Sequence, residues 1–244
     1  MTLYKALVQY DGTEYFGFQV QADRRTIQGE LERALSVVTQ ESVRSVGAGR
    51  TDSGVHARGQ VISFESGWTH PLATLLTACN AHLPPTISLQ NIAVAPDRFD
   101  ARRSALARTY RYTLNNRPVR SPMRDRFAWH VRQALDAPAM HAALQHYAGT
   151  HDFIAFGNPP ERASSTARTL SAVRCWRELD WVTVELTANA FLQGMVRRIV
   201  GALVMLGTAH ITSAEFANLL QAREKQLVKW KAPPQGLCLW AVEY

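Results

Sequence analysis

Hydrophobic and polar residues alternate in several short stretches of the chain, which is the pattern of strands with one buried face. In the first stretch Tyr4, Ala6, Val8 and Tyr10 share a face, and the turn sequence Asp11-Gly12-Thr13 follows. Later stretches repeat the alternation, and two of them flank Leu179-Asp180 as a hairpin would. The predicted strands are 3–10, 43–46, 60–65, 86–95, 107–114, 170–177, 181–187 and 237–243.

Between these strands, hydrophobic residues recur every three or four positions, which predicts amphipathic helices. The first helix is expected to begin after Thr26, a typical N-cap residue, and to end near Val38. The most apolar helix is interrupted by Arg197 and Arg198, so at least one of these arginines is expected to face something buried. The other predicted helices are 71–82, 136–148, 191–206 and 213–221.

Strands and helices are mixed along the whole chain, and the pattern restarts near Ser104. Hairpins and helices both occur, which favours an α+β fold with mainly antiparallel sheets flanked by helices. We therefore predict two α+β halves, 1–104 with the polar loop around Asp52 and 105–244 as the C-terminal half.

Composition narrows the class of protein. Of the 244 residues 46% are apolar, which is enough for a buried core and too many for a disordered chain. No uncharged apolar run reaches 18 residues, so no transmembrane helix is expected, and the first residues lack the pattern of a signal peptide. Cys79, Cys175 and Cys238 are far apart and form no CxxC pair, which favours free thiols in a reducing cytoplasm.

Positive charge is concentrated in one segment. The chain carries a net charge of +7, whereas residues 98–132 hold ten arginines and two acidic residues, a net charge of +8. Arginine forks bind phosphate in bidentate fashion, so this segment suggests a polyanionic partner. A solvated basic face is the alternative, and the strand-like alternation over 109–114 argues against a membrane-binding amphipathic helix. The arginines are Arg98, Arg102, Arg103, Arg108, Arg111, Arg117, Arg120, Arg124, Arg126 and Arg132.

The densest polar cluster is the loop at 47–57, with the sequence GAGRTDSGVHA. It matches neither a dinucleotide-binding loop nor a P-loop nor a nucleophile elbow. A hydrolase-like grouping of Asp52, Ser53 and His56 lacks the expected elbow. On spacing alone, a turn in which Asp52 caps local N–H groups is favoured over a catalytic role.

Residues 49–57, GRTDSGVHA, resemble the signature of the tRNA pseudouridine synthase A family. Further blocks in the same order along nearly the whole chain resemble that family, and together they are highly specific. The chain departs from the usual family residues at Phe18, Ser53 and Arg198, which affects fine substrate range more than the reaction. The further blocks are YDGT at 10–13 with GFQ at 17–19, TIQGELE at 26–32, NAHLP at 80–84, FDAR at 99–102, RTYRY at 108–112, ANAFL at 188–192 and MVRRIVG at 195–201.

The resemblance implies a pseudouridine synthase fold with the active-site cleft between the two halves. It implies an isomerase that converts uridine to pseudouridine at positions 38 to 40 of the anticodon stem-loop of tRNA, in a homodimer and without a cofactor or metal. The rival interpretations are a pseudouridine synthase of other RNA specificity and a non-catalytic RNA-binding module. The second rival is disfavoured because the acid of the signature, Asp52, is present.

The resemblance also assigns residues. Asp52 matches the catalytic carboxylate, which acts either as a nucleophile at the sugar or as a base at C2′. Arg197 matches the cation that keeps this carboxylate ionised. Tyr110 matches the tyrosine that stacks on the uracil, while Tyr112 is assigned to packing. The remaining substrate-binding candidates are Arg50, which displaces the target nucleotide or holds phosphate, His56 and Arg58 as further RNA contacts, and Arg102 and Asn80, which lie in matching blocks.

Overall fold

The computed structural model describes residues 1–158, 165–222, 224 and 227–244. It divides into two compact units, one formed by Met1–Leu106 with Leu239–Tyr244 and the other by Ala107–Cys238. The last strand of the chain therefore contributes most of its residues to the first unit. The predicted α+β class with mainly antiparallel sheets is confirmed.

The first unit contains a sheet in the order β4-β1-β3-β10, with β2 paired to β3. The pairs β1–β3, β1–β4 and β2–β3 are antiparallel. Its elements are β1 (Thr2–Tyr10), α1 (Ile27–Thr39), β2 (Ser45–Gly47), β3 (His56–Ser66), α2 (Leu72–His82) and β4 (Ile87–Val94).

The core of the first unit forms on one face of β1. Tyr4, Ala6, Val8 and Tyr10 are all buried, as the alternation predicted. Helix α1 begins after Thr26, whose side chain accepts a hydrogen bond from the Gly29 amide, so the predicted N-cap is confirmed. Helix α1 packs beside α2, and the apolar stripe of α1 is buried.

A buried carboxylate ties α1 to β2. Glu32 is 7% exposed and accepts hydrogen bonds from the Ser45 amide at 2.9 Å and from Gln28 at 2.9 Å. Arg44 donates to its other oxygen at 3.0 Å. Because β2 leads directly into the polar loop at 47–55, this network fixes where that loop begins.

The second unit contains a sheet in the order β5-β9-β8-β7, in which the β5–β9, β9–β8 and β8–β7 pairs are antiparallel. The short β6 pairs parallel to β5. The elements are β5 (Ala107–Asn115), α3 (Pro122–Asp125), β6 (Trp129–His130), α4 (Ala137–Leu144), β7 (Gly149–Asp152), β8 (Ala167–Glu178), β9 (Trp181–Ala188), α5 (Met195–Gly207) and α6 (Ser213–Asn218), and β10 (Leu237–Glu243) begins there.

Helices α4, α5 and α6 pack against one another, and α4 also packs on β8. An aromatic cluster fills the space beside them. Tyr147 stacks on Phe216 with ring centroids 4.5 Å apart, and Phe153 and Phe156 meet it edge-on. These four rings are fully buried.

Three predicted boundaries were wrong, and the first two lie close to candidate site residues. Strand β3 begins at His56 instead of residue 60, so the polar loop is shorter and runs straight into the sheet. Helix α5 begins at Met195 because Gly194 adopts a left-handed conformation with φ +75°. Helix α6 begins at residue 213 as predicted but ends at Asn218 instead of residue 221, and Thr212 caps its start through a capping box with Glu215.

None of the helices in the described part of the chain is long and apolar enough to span a membrane. Cys79, Cys175 and Cys238 are all free thiols, and the first two are buried. Burial raises the pKa of Cys79 to about 11 and that of Cys175 to about 12.

Candidate active site

Asp52 lies in the loop between β2 and β3. Its neighbour Thr51 is buried, Ser53 is exposed, and the Asp52 side chain itself is partly exposed. The Val55 amide donates to the Asp52 carbonyl at 3.2 Å and closes a turn, after which Val55 is buried. The loop thus holds a carboxylate at the surface between two buried anchors.

A second loop, residues 11–18, fixes the Asp52 loop from one side. The Tyr10 hydroxyl lies 2.8 Å from the Thr51 hydroxyl, and the Phe18 amide donates to the Thr51 carbonyl at 3.1 Å. The Ser53 hydroxyl donates to the Tyr15 carbonyl at 3.0 Å. Residues on both sides of Asp52 are therefore held, which restricts the directions its carboxylate can take.

Two glycines make this close approach possible. A Cβ at Gly12 would lie 2.0 Å from the Val55 carbonyl oxygen. Gly17 has φ +90°, and a Cβ there would lie 2.8 Å from the Thr51 carbonyl oxygen. Any larger residue at either position would push the two loops apart.

His56 is buried at the first position of β3, with 5% of its surface exposed. Its Nδ1 atom lies 3.1 Å from the Gly12 amide and 3.1 Å from Asp11 Oδ1. A neutral ring accepts from Gly12 and a protonated ring pairs with Asp11, so in both states His56 ties β3 to the turn at 11–12. The structure thus gives His56 a packing role, and its RNA contact stays a prediction.

Arg50 and Arg58 are both exposed, one before Asp52 and the other on β3. The Arg58 guanidinium lies 4.3 Å from the centre of the Trp240 ring, which holds it by a cation–π contact. Two residues after Arg58 on β3, Gln60 is fully buried and its side-chain amide donates to the Gly49 carbonyl at 2.8 Å. This bond anchors the start of the Asp52 loop.

Asn80 and Arg102 lie elsewhere in the first unit. The Asn80 side chain donates to the Leu89 carbonyl at 2.9 Å and accepts from the Leu89 amide at 2.8 Å, which joins α2 to β4. Arg102 is exposed, and its backbone amide donates to Asp100 at 2.8 Å. Asn80 has a structural role in the fold, and the substrate contacts of both residues stay predictions.

Tyr110 and Tyr112 lie in the second unit on one face of β5. Tyr110 is 8% exposed and meets Phe191 edge-on, with ring centroids 5.1 Å apart. Tyr112 is fully buried and donates to the Pro233 carbonyl at 2.7 Å. Burial raises the pKa of Tyr112 strongly, and the nearby positive charge of Arg197 opposes this rise. The packing role predicted for Tyr112 therefore agrees with its surroundings.

Arg197 lies in the first turn of α5 and is partly buried. Its Nε donates to the Ala232 carbonyl at 2.7 Å, and the Ala232 amide donates back to the Arg197 carbonyl at 3.0 Å. This reciprocal pair fixes the side chain beside residues 230–233. Arg198 is also partly buried and donates to the Phe156 carbonyl at 3.3 Å.

Three arginines of the basic segment, residues 98–132, pair in the fold with acidic side chains from outside the segment. Arg111 pairs with Glu185 at 2.5 Å, and Arg117 and Arg124 pair with Asp180 at 3.5 and 3.4 Å. Both acids lie on or beside β9, outside the segment. The arginines of the segment that are exposed are Arg98, Arg102, Arg103, Arg120, Arg126 and Arg132.

Several residues that position the site carried no clear signal in the sequence. Tyr10 looked like an ordinary strand residue and Gln60 like a polar strand position, yet each makes a hydrogen bond to the Asp52 loop. A polar glutamine on the buried face of a strand would have indicated such a role for Gln60, but the buried face is known only once the strand register is known. Within the described residues, no group of three or more His, Cys, Asp or Glu side chains could hold a metal ion.

Comparison with known proteins gives one consistent result. A family model described as tRNA pseudouridine synthase matches residues 6–102 and 143–244. The matched residues include the Asp52 loop and Arg197, whereas Tyr110 falls in the gap between the two matched stretches.

Proteins with the name tRNA pseudouridine synthase A are similar over nearly the full length. One from Chloroflexus aurantiacus is 43% identical over 242 residues, covering 98% of this chain and 87% of that protein. One from Shouchella clausii is 39% identical, covering 97% of this chain and 91% of that protein. One from Pelobacter propionicus is 38% identical over 244 residues and covers both chains completely.

Proposed function

This chain belongs to the tRNA pseudouridine synthase A family, and from that premise we propose that Asp52 is the carboxylate with which it acts on the anticodon stem-loop of tRNA. As a member of the family it is an isomerase that converts uridine in tRNA to pseudouridine. The proposed targets are positions 38, 39 and 40.

The observation that carries the proposal is the construction of the Asp52 loop. The partly exposed Asp52 stands between two residues that are hydrogen-bonded to neighbouring segments: the buried Thr51 is bound by Tyr10 and Phe18, and the exposed Ser53 donates to Tyr15. A mere turn-capping aspartate needs no such support. A catalytic carboxylate needs such support, because a displacement of about 1 Å from the reacting atom lowers the reaction rate strongly.

The reaction breaks the N1–C1′ bond of uridine, rotates the base and joins C5 to C1′. The C5 proton leaves and N1 gains a proton, so the atoms balance without an oxidant or reductant. Asp52 acts at the sugar, either as the nucleophile at C1′ or as the base that removes the C2′ proton. Deuterium at C2′ of the target uridine distinguishes these roles, because only proton removal gives a primary isotope effect.

A uridine inside a stem must leave its stack before a carboxylate can reach its sugar. In the proposal Tyr110 stacks on the displaced uracil and Arg197 supplies the positive charge that keeps Asp52 ionised. The fixed position of Arg197, held by Ala232, supports a role as a preorganised cation. Arg50, which lies two residues before Asp52 in the same loop and is exposed, displaces the nucleotide or holds its phosphate.

We also propose an oligomeric state and a cellular compartment for the chain. The exposed arginines of 98–132 bind the phosphate backbone of tRNA, and the chain acts as a homodimer in the cytoplasm. Three free thiols agree with a reducing compartment. Sedimentation equilibrium of the purified chain tests the dimer, and a molar mass that stays that of a single chain at micromolar concentration contradicts it.

The test of the proposed function is Asp52→Asn, which keeps the size of the side chain and removes its charge. We expect pseudouridine formation on unmodified tRNA to fall by at least about a hundredfold while tRNA binding survives. Asp97→Asn is the matched control, because Asp97 is an exposed carboxylate outside the loop, and it should keep normal turnover.

Near-normal turnover by Asp52→Asn would remove the proposed role of this residue. Binding of tRNA without any product from the unaltered chain would instead favour the non-catalytic RNA-binding module. Product on ribosomal RNA but not on tRNA, compared in RNA from a deletion strain, would favour the other RNA specificity.

A further inference from the structure

An exposed aromatic ring with an arginine over it stands beside the Asp52 loop. Phe16 is 47% exposed, although its neighbours Tyr15 and Phe18 are 1% and 2% exposed. The guanidinium of Arg24, itself exposed, lies 4.5 Å from the centre of the Phe16 ring. Packing in the apolar core therefore does not explain why a large aromatic residue occupies position 16.

The backbone on both sides of Phe16 is bound to the Asp52 loop. The Tyr15 carbonyl accepts from the Ser53 hydroxyl at 3.0 Å and from the Gly54 amide at 3.4 Å, and the Phe18 amide donates to Thr51. Phe16 therefore lies within the four-residue span 15–18, whose two ends are hydrogen-bonded to the Asp52 loop.

The loop that carries Arg24 is closed onto Phe16 by hydrogen bonds. The Phe16 amide donates to the Arg25 carbonyl at 3.0 Å, and the Gln21 side chain donates to the Phe16 carbonyl at 2.7 Å. Gln21 and Arg24 also form a backbone bridge. The ring and the guanidinium are thus brought together by the fold before any ligand binds.

A ring and a planar cation in this arrangement suit an unpaired nucleobase. Bases stack on aromatic side chains regardless of sequence, and an adjacent arginine adds cation–π attraction and a partner for phosphate. We infer that Phe16 and Arg24 form a stacking platform for an unpaired base of the RNA that flanks the target uridine. This inference rests on the proposed function, because it requires an RNA whose target lies at Asp52.

The platform is tested by binding of unmodified tRNA in the Asp52→Asn background, where turnover does not interfere. Phe16→Ala should weaken binding by roughly tenfold to a hundredfold. It removes no charge, so the slope of log K against log salt should stay the same. Arg24→Gln should reduce the magnitude of that slope by about 0.7 to 1.

Three further variants separate stacking from general effects. Phe16→Trp should keep the affinity because it keeps a π face, whereas Phe16→Leu, which keeps apolar bulk, should lose it. Val20→Ala is the matched control: Val20 is 44% exposed on the same loop, and its loss should leave the affinity unchanged. An anticodon stem-loop with 2-aminopurine beside the target should show fluorescence quenching that Phe16→Ala abolishes.

The inference is overturned if Phe16→Ala and Phe16→Leu bind as tightly as Val20→Ala while the unaltered chain forms pseudouridine. It is also overturned if Phe16→Ala changes the sedimentation of the chain and not its RNA affinity, because Phe16 would then contact another protein chain. A failure of the proposed function looks different: the unaltered chain would form no pseudouridine in any RNA.

Discussion

At the scale of single residues, the surroundings of a side chain decide its role more than its type does. Tyr110 and Tyr112 are two residues apart on one strand, yet Tyr112 donates to a backbone carbonyl and is fully buried, while part of Tyr110 remains accessible. Asp52 and Asp11 both lie in turns, but their surroundings differ: Asp11 accepts from Thr13 in its own turn, whereas the residues on either side of Asp52 bond to neighbouring segments.

The buried thiols give a residue-scale prediction. Burial raises the pKa of Cys79 to about 11 and of Cys175 to about 12, so at pH 8 only about one Cys79 in a thousand is ionised. Because the thiolate is the nucleophile, both should react with iodoacetamide far more slowly than a free cysteine peptide. Peptide mass spectrometry after timed alkylation, native and in urea, measures this.

The same shifts predict a direction of stability with pH. A thiol whose pKa is raised by folding keeps its proton longer in the native state, so the unfolded chain loses protons first as the pH rises. The contribution of the two protonated thiols to the free energy of unfolding is complete below about pH 8.5. This contribution is lost as the pH rises from about 8.5 to about 11 to 12, so the stability of the chain should fall over that range. Rapid native alkylation of Cys79 at pH 8 would contradict both expectations.

At the scale of elements, the position of the Asp52 loop depends on contacts between neighbouring elements. Helix α1 fixes β2 through Glu32, and His56 at the start of β3, directly after the loop, accepts from the Gly12 amide of the neighbouring turn. The strand β3 begins directly at His56, so little free chain lies between Asp52 and the sheet.

The Glu32 network gives the element-scale prediction. Glu32→Ala leaves the buried Ser45 amide without its acceptor, and the free energy of unfolding should fall by about 1–3 kcal/mol. Arg44→Ala removes only the exposed partner of the pair, whose side chain is 80% exposed, and should cost less than about 1 kcal/mol. Urea unfolding followed by circular dichroism measures both, and equal losses in the two variants would show that the ion pair, not the buried amide, carries the effect.

At the scale of the whole molecule, net charge is a poor guide to the surface that RNA meets. The basic segment has a net charge of +8 in sequence, but Asp180 and Glu185 pair with three of its arginines. The exposed remainder lies in both units, with Arg102 in the first and Arg120 in the second. A contribution to tRNA binding is therefore expected from some arginines of the segment and not from others.

The salt dependence of tRNA binding tests this division. Arg120→Ala and Arg132→Ala should each weaken binding and lower the magnitude of the salt slope by about 1, because each loses one phosphate contact. Arg117→Ala should leave the slope nearly unchanged, since Arg117 already pairs with Asp180. Binding titrations between about 50 and about 200 mM salt measure the slopes. An unchanged slope in Arg120→Ala and Arg132→Ala would remove these two arginines from the proposed RNA interface.

Several strands, the cap of the first helix and the family were predictable from the sequence, for physical reasons. Alternation of polar and apolar residues predicted β1 and β10, because burial on one face demands a period of two. Thr26 was predicted as an N-cap because its hydroxyl replaces a missing helical acceptor. The motif blocks predicted the family, which the comparisons confirmed. The boundary of α5 was wrong, because a left-handed Gly194 is invisible to hydrophobic periodicity.

The sequence by itself determined the α+β class, the family and the identity of the candidate acid, because burial patterns and ordered motif blocks are properties of the chain read in one dimension. Tertiary structure alone decided which residues hold the loop of that acid, through the bonds of Tyr10 to Thr51 and of Gln60 to Gly49, and which exposed ring, Phe16, lies under Arg24. These contacts join residues from 8 to 41 positions apart. Hydrogen-bond geometry and exposure depend on how distant segments meet, and no local pattern encodes that.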